Sequence, residues 1–170
     1  EDTKTKNHKI LAYNITKGDK VKINEITFEG NTLFTEGQLR RMMKDTKVKK
    51  KYRIFKASKF LKDAYEADKD NIIAKYNQKG YRDAKIIRDS IYKGEEDNLN
   101  IRLSLKEGSP YFFGNIAFVG NTKYSNEELK QVVGIEKGDI YNEEVVQIRL
   151  LGSPDSRDVH SKYLDNGYLF

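Results

Sequence analysis

"FEGNT", Phe28 to Thr32, returns 90 residues later as "FVGNT", Phe118 to Thr122, with Gly30 and Asn31 matched by Gly120 and Asn121. Glycine enters the positive-φ region without a Cβ clash, and asparagine tolerates the same region while bonding nearby backbone, so each pair marks a tight turn. Before the first turn, "VKINEITF" alternates Val21, Ile23, Glu25 and Thr27 with Lys22, Asn24, Ile26 and Phe28, a strand with no strictly polar side. Before the second, "YFFGNIAF" plays the same part, which predicts a strand over Tyr111 to Val119.

Helix-start signals follow both turns. Thr35-Glu36-Gly37-Gln38 and Ser125-Asn126-Glu127-Glu128 read as capping boxes. Leu39, Met42 and Met43 in one copy and Leu129, Val132 and Val133 in the other form apolar stripes at helical spacing, and Gly134 closes the second helix. A longer helix comes next in each copy. The first is expected from an N-cap at Ser58, through Leu61, Tyr65, Ile72, Ile73 and Tyr76, to Gly80. The second begins after Asn142 and must kink or break at Gly152-Ser153-Pro154 before Val159, Tyr163 and Gly167. "KYNQKGY", Lys75 to Tyr81, then matches "KYLDNGY", Lys162 to Tyr168, at 87 residues, so three residues are missing from a connection of the second copy.

The first copy continues with a strand in "DAKIIRDSIY", Asp83 to Tyr92, a polar turn, and a strand in "LNIRLSL", Leu99 to Leu105. The opening segment "HKILAYNITKGDKVKI" overlays this last strand at the 90-residue offset, with Ile15 on Leu105 and Gly18 on Gly108. Residues 9 to 16 therefore read as the final strand of an earlier copy. The expected organisation is a leader and a last strand over 1–17, a complete β-α-α-β-β unit over 18–108, and the β-α-α part of the next unit over 109–170.

Composition narrows the function. In 170 residues there are no cysteines, which excludes a disulfide scaffold, a thiolate metal site and a cysteine nucleophile. Charged residues are 34% and apolar ones 37%. No apolar run approaches the ~20 residues of a membrane-spanning helix, and no signal peptide is read, so the expectation is a soluble piece. The net charge is +6, and much of the excess lies between Lys44 and Lys62, where only Asp45 opposes the cations. Lys47, Lys49, Lys50, Lys51, Arg53 and Lys56 read either as a solvated face or as a docking patch for an acidic partner or lipid headgroups. Glu95, Glu96 and Asp97 are consecutive on a hairpin tip and cannot converge on one ion. His8 and His160 are the only histidines, and neither a G-x-S-x-G elbow nor a phosphate loop occurs. No catalytic, metal or cofactor-binding residue is expected.

The β-α-α-β-β order, the Gly-Asn turn after the first strand and the "Y-x-x-x-G-Y" exit from the second helix resemble the POTRA domain. The junction Glu107-Gly108-Ser109-Pro110-Tyr111, with "RIFKASKF" (Arg53 to Phe60) and "NGYLF" (Asn166 to Phe170), is similar to the tandem array of BamA-type outer-membrane insertases. The resemblance implies an α+β fold in which a small three-stranded mixed sheet carries two helices on one face. It also implies a non-enzymatic role in the periplasmic portion of an outer-membrane protein, with unfolded outer-membrane protein clients and accessory proteins of the assembly complex as partners. In that family the strand after the second helix lies at a sheet edge, here Lys85, Ile86, Ile87, Arg88, Asp89, Ser90, Ile91 and Tyr92, and an open edge can accept a peptide as an added strand. Ile86, Arg88 and Ser90 on one side, or Ile87, Asp89 and Ile91 on the other, would tune the choice of peptide. Gly30, Asn31, Gly120, Asn121, Gly80 and Gly167 are assigned to turns.

Two other readings stay open. One is an architectural spacer that touches no client. The other is an RNA-binding β-α-α-β module, although the G-x-x-G loop such domains need between their helices is absent. Pairing of Lys9 to Thr16 with the incomplete second copy of another molecule would give a strand-swapped assembly.

Overall fold

A computed structural model describes residues 11–15, 21–49 and 60–168. Strand β1 (Ile23–Glu29) leads through the Gly30 turn into α1 (Glu36–Met42), followed by α2 (Lys62–Asn77), β2 (Lys85–Lys93) and β3 (Leu99–Lys106). The second repeat contributes α3 (Asn126–Val133), α4 (Glu143–Leu151) and α5 (Val159–Leu164). The sheet order is β1-β3-β2, with β3 parallel to β1 and antiparallel to β2.

Alternation along β3 buries Ile101, Leu103 and Leu105 on one face. On β1 the buried residues are Ile23, Ile26 and Phe28, a spacing no regular strand allows. A register shift between Ile23 and Glu25 turns Ile23 onto the core side, which explains the mixed faces of "VKINEITF". Leu39 and Met43 at α1, and Tyr65, Ile72 and Tyr76 of α2, complete this core. The opposite face of the sheet is polar: Asn24 bonds Asn100, Ser104 bonds Glu29, and Arg102 lies 3.6 Å from Glu29.

Two buried carboxylates hold the connections. Asp68 of α2 accepts from the backbone N–H of Lys44 and Thr46 at 2.6 Å each and of Asp45 at 3.1 Å, satisfying donors in the turn after α1. Glu107, one residue beyond β3, accepts from Thr32 N at 2.8 Å, Leu33 N at 3.0 Å and the Tyr76 hydroxyl at 2.7 Å, and from the Thr32 hydroxyl. The repeated turn is thus fastened to the end of the sheet and to α2. Burial alone raises the Glu107 pKa, but the hydrogen bonds from Thr32, Tyr76 and Leu33 outweigh it and hold the carboxyl below its usual range.

Both capping boxes are formed, by Thr35 with Gln38 and by Ser125 with Glu128. Asn31 and Asn121 donate to the Phe34 and Tyr124 carbonyls at 2.8 and 3.0 Å, the same bond in each repeat. The aromatic contacts repeat as well. Phe34–Tyr76 and Tyr76–Tyr81 meet edge to face, as do Tyr124–Tyr163 and Tyr163–Tyr168. Gly152 ends α4, and Asp158 restarts the helix by accepting from Ser153 N and Ser161 N at 2.9 Å each.

Three expectations differ. The long helix of the first repeat starts at Lys62 behind Leu61, which makes no side-chain cap; its anchor is packing of Tyr65, Ile72 and Tyr76, and Ser58 lies outside the described residues. Tyr111 to Val119 forms no strand beyond a bridge between Phe112 and Ile140, because no described residue plays the part that β3 plays for β1. Within Lys9 to Thr16, residues 11–15 are described and hold no strand, with Leu11, Tyr13 and Ile15 exposed, so self-association through this segment gains no support from them.

Gly30 and Gly120, twins in sequence, have φ of +77° and +81°. A Cβ on Gly30 collides with the Leu105 carbonyl, whereas one on Gly120 meets open space. Gly120→Ala is therefore expected to cost only the positive-φ strain of about 1 kcal/mol, and Gly30→Ala about 3 kcal/mol or more because backbone must move; hydrogen exchange in α3 and in α1 reads the two costs separately. A second outcome concerns Glu107, whose native pKa is depressed. Its stabilisation is present above the unfolded carboxyl pKa of about 4.3 and is lost as pH falls through the lower native value. Glu107→Gln should destabilise by roughly 1–3 kcal/mol at neutral pH, and urea titrations should show that gap closing in acid.

Candidate functional site

The two edges of the sheet are treated differently. On the outer side of β1, Ile23 O accepts from Lys49 N at 2.7 Å and Ile26 O from Arg40 Nε at 3.0 Å, while Phe60 N donates to Val21 O just before the strand. The second repeat uses the same device: Phe113 N donates to Asp139 O, and Phe113 O accepts from Gly138 N, both at 2.8 Å. Along β1 the Ile23, Val21 and Ile26 carbonyls are thus taken by Lys49 and Phe60 and by Arg40 of α1. β2 pairs with β3 and, among the described residues, with nothing else.

The register of β2 differs from simple alternation. Ile86 faces Leu105 and Arg88 faces Ser104, leaving Ile87 as an extra residue. The bulge puts Ile86, Asp89 and Ile91 opposite the core-facing residues of β3, and Arg88, Ser90 and Tyr92 opposite the polar set. Neither trio expected from alternation therefore lies on one side. Ile87, Ile91 and Tyr92 are 59%, 42% and 41% exposed, a large apolar share for an edge.

Along β2 runs a groove of about 290 Å³, walled by Glu66, Lys69, Asp70 and Ile73 of α2 and by Ile86 to Asp89. Lys69 spans it, with Nζ 2.6 Å from Asp89 and 2.8 Å from Glu66, above the Tyr65 ring at 4.9 Å. Burial lowers the Lys69 pKa, but its bonds to Asp89 and Glu66 outweigh this and hold it above the usual lysine range. Tyr65 is buried, and its hydroxyl has no hydrogen-bond partner among the described residues. Burial, then the charges of Asp89 and Glu66, push that hydroxyl's pKa up.

The helix side of this site was missed in the sequence. Its signal was present: Glu66, Lys69, Asp70 and Ile73 recur at i, i+3, i+4 and i+7, a stripe beside the buried Tyr65, Ile72 and Tyr76. Of the basic stretch, Lys47 and Lys49 are described. Lys47 donates to the Met43 carbonyl, and Lys49 pairs with Glu96 at 2.8 Å. Lys50, Lys51, Arg53 and Lys56 lie outside the described residues. Gly80 and Gly167 take φ of +84° and +81°, and Gly80 O accepts from Tyr111 N at 2.8 Å where the repeats join. Among the described residues no three metal-ligating side chains cluster.

A three-stranded mixed sheet with helices, followed by a second copy of its turn and caps, is the fold of two POTRA repeats. Residues 21–108 and 111–170 match that family, described as a surface antigen variable number repeat, and the chain belongs to it. It is similar to the outer membrane protein assembly factors BamA of Neorickettsia risticii, 31% identical over 71% of this chain, and of Neisseria meningitidis, 25% identical over 75%. It spans 16% of the length of either relative. The fold is shared with Haemophilus influenzae BamA POTRA domains 3–5, with a TM-score of 0.54 at 19% identity over 75% of this chain and 50% of that one. It is also shared with Haemophilus ducreyi BamA lacking POTRA domains 1–3, with a TM-score of 0.53 at 18% identity over 76% and 23%.

Removing an unpaired buried polar atom relieves a desolvation cost. Tyr65→Phe is therefore expected to leave stability unchanged or raise it by about 1 kcal/mol, read as the urea midpoint.

Proposed function

We propose that this chain is a non-enzymatic POTRA module of an outer-membrane protein assembly machine, working in the periplasm and docking unfolded outer-membrane protein clients along β2. The observation that carries the reading is the asymmetry of the sheet among the described residues: Lys49, Arg40 and Phe60 take carbonyls along β1, while β2 pairs with β3 alone and borders a groove. An extended client segment would pair with the β2 backbone, and Ile87 and Ile91 would meet its apolar side chains. Each added hydrogen bond contributes a net of about 0.5–1.5 kcal/mol, so docking over a few residues is reversible, as a client in transit requires. Backbone pairing is indifferent to sequence and suits clients defined by being unfolded and β-rich. The relatives' names as assembly factors support the setting.

Photo-crosslinkers at Ile87 and Ile91, with Asn24 of β1 on the polar face of the sheet as control, test this in the full-length protein during outer-membrane protein synthesis. Client adducts at the first two positions and none at Asn24 are expected. Adducts only with accessory proteins at Ile87 and Ile91 would support the spacer reading instead.

A further inference from the structure

Helix α2 has a second flank, turned towards α1, where the cations lack the carboxylate partners that Lys69 has beside β2. Between α1 and α2 runs a groove of about 430 Å³, to which Met42 and Ala74 contribute the apolar surface and Arg41, Lys44 and Lys75 the charge. No carboxylate lines it. None of the three cations is paired with a carboxylate among the described residues, whereas Arg40, Lys49, Lys69 and Arg102 each meet one. Arg41 Nε bonds the Gly37 carbonyl and Lys75 Nζ the Gln78 side chain at 2.8 Å, neutral partners that leave both charges uncompensated.

The cationic end is also held in place. Asp68 accepts from Lys44 N at 2.6 Å and from the next two amides, which fixes this residue beside α2 before anything binds. Met42 is half-buried, and its thioether can adapt to the shape of an incoming side chain. Like charges gathered around an apolar depression repel one another until an anion enters, and the depression gives that anion's carrier a place for an apolar side chain.

We propose that the α1–α2 groove docks an acidic amphipathic segment of a partner protein, with an apolar side chain against Met42 and Ala74 and carboxylates on Arg41, Lys44 and Lys75. A bilayer surface is flat: it meets the cations at the rim and not the apolar floor between them. A ridge of side chains on a helix reaches both. The site is separate from the β2 edge, where Lys69 is bonded to Asp89 and Glu66, so client strand and acidic partner can be held at once on the two flanks of one helix.

The probes are a fluorescent helical peptide with leucines on one face and glutamates on the other, its glutamate-to-lysine counterpart, and phosphatidylglycerol vesicles. Anisotropy with the purified protein should show binding of the acidic peptide, weakening with added salt, and none of the basic one. The double variant Arg41→Glu, Lys75→Glu should weaken binding roughly tenfold or more, Met42→Ser should weaken it severalfold, and Lys50→Glu, Lys51→Glu should change it little. All altered groove side chains are exposed or half-buried, and circular dichroism checks that the fold is kept. Unchanged affinity after the Arg41 and Lys75 reversal overturns the proposal. So does loss confined to the Lys50 and Lys51 variant, or vesicle binding that depends on Arg41 and Lys75 while Met42→Ser has no effect.

Discussion

The carboxylate of Glu107 is where the sheet, the turn and the long helix meet. It sits one residue past β3 and collects donors from the Thr32 and Leu33 backbone, the Thr32 hydroxyl and the Tyr76 hydroxyl. A buried carboxylate is tolerable only when so satisfied, and satisfying it requires the turn after β1 to lie against the end of β3 and against α2. The parallel β1–β3 pairing, which no hairpin connects, is locked at one end by this contact. The same end carries Gly30, which packs against the Leu105 carbonyl too closely for any side chain.

With that corner fixed, the rest of the first repeat follows from burial and from edges. Tyr65, Ile72 and Tyr76 bury one side of α2 in the core that β1 and β3 share, and Asp68 fastens the turn after α1. The chain beyond that turn then falls along β1, so Lys49 fills its outer edge. Among the described residues β2 pairs with β3 alone, and Lys69, bonded to Asp89, ties it to α2. Sheet edges in soluble proteins are ordinarily blocked or charged. An uncovered edge with exposed Ile87 and Ile91 departs from that rule, and the departure falls where a binding role would use it. The two flanks of α2 then acquire different character, with charges paired through Lys69 beside β2 and cations without carboxylate partners beside α1.

Much of this was legible in the sequence, for local reasons. The capping boxes at Thr35 and Ser125, the αL residue Gly134 and the interruption after Leu151 depend on neighbours within a few positions, and the 90-residue register tied them into repeats. The edge strand over Lys85 to Tyr92 was legible as a strand. Its side-chain faces were not, because the bulge at Ile87 comes from pairing with Ser104 and Leu105 of β3, distant in the chain. The start of α2 was misjudged for a related reason: Ser58 offers a capping hydroxyl, yet contacts of Tyr65 and Ile72 with distant strands decide where the helix is worth forming.

The sequence by itself determined the turns, the helix ends, the strand content of the first repeat and its duplication, since each is encoded by residue type at short spacing. Only the tertiary structure decided which carbonyls of β1 are taken, how β2 presents its side chains, which lysines find carboxylates, and that Tyr111 to Val119 makes a single bridge and no strand. These depend on partners brought together across the chain. A strand's hydrogen bonds exist only if another strand is beside it, and a charge is compensated only by what folding places within reach.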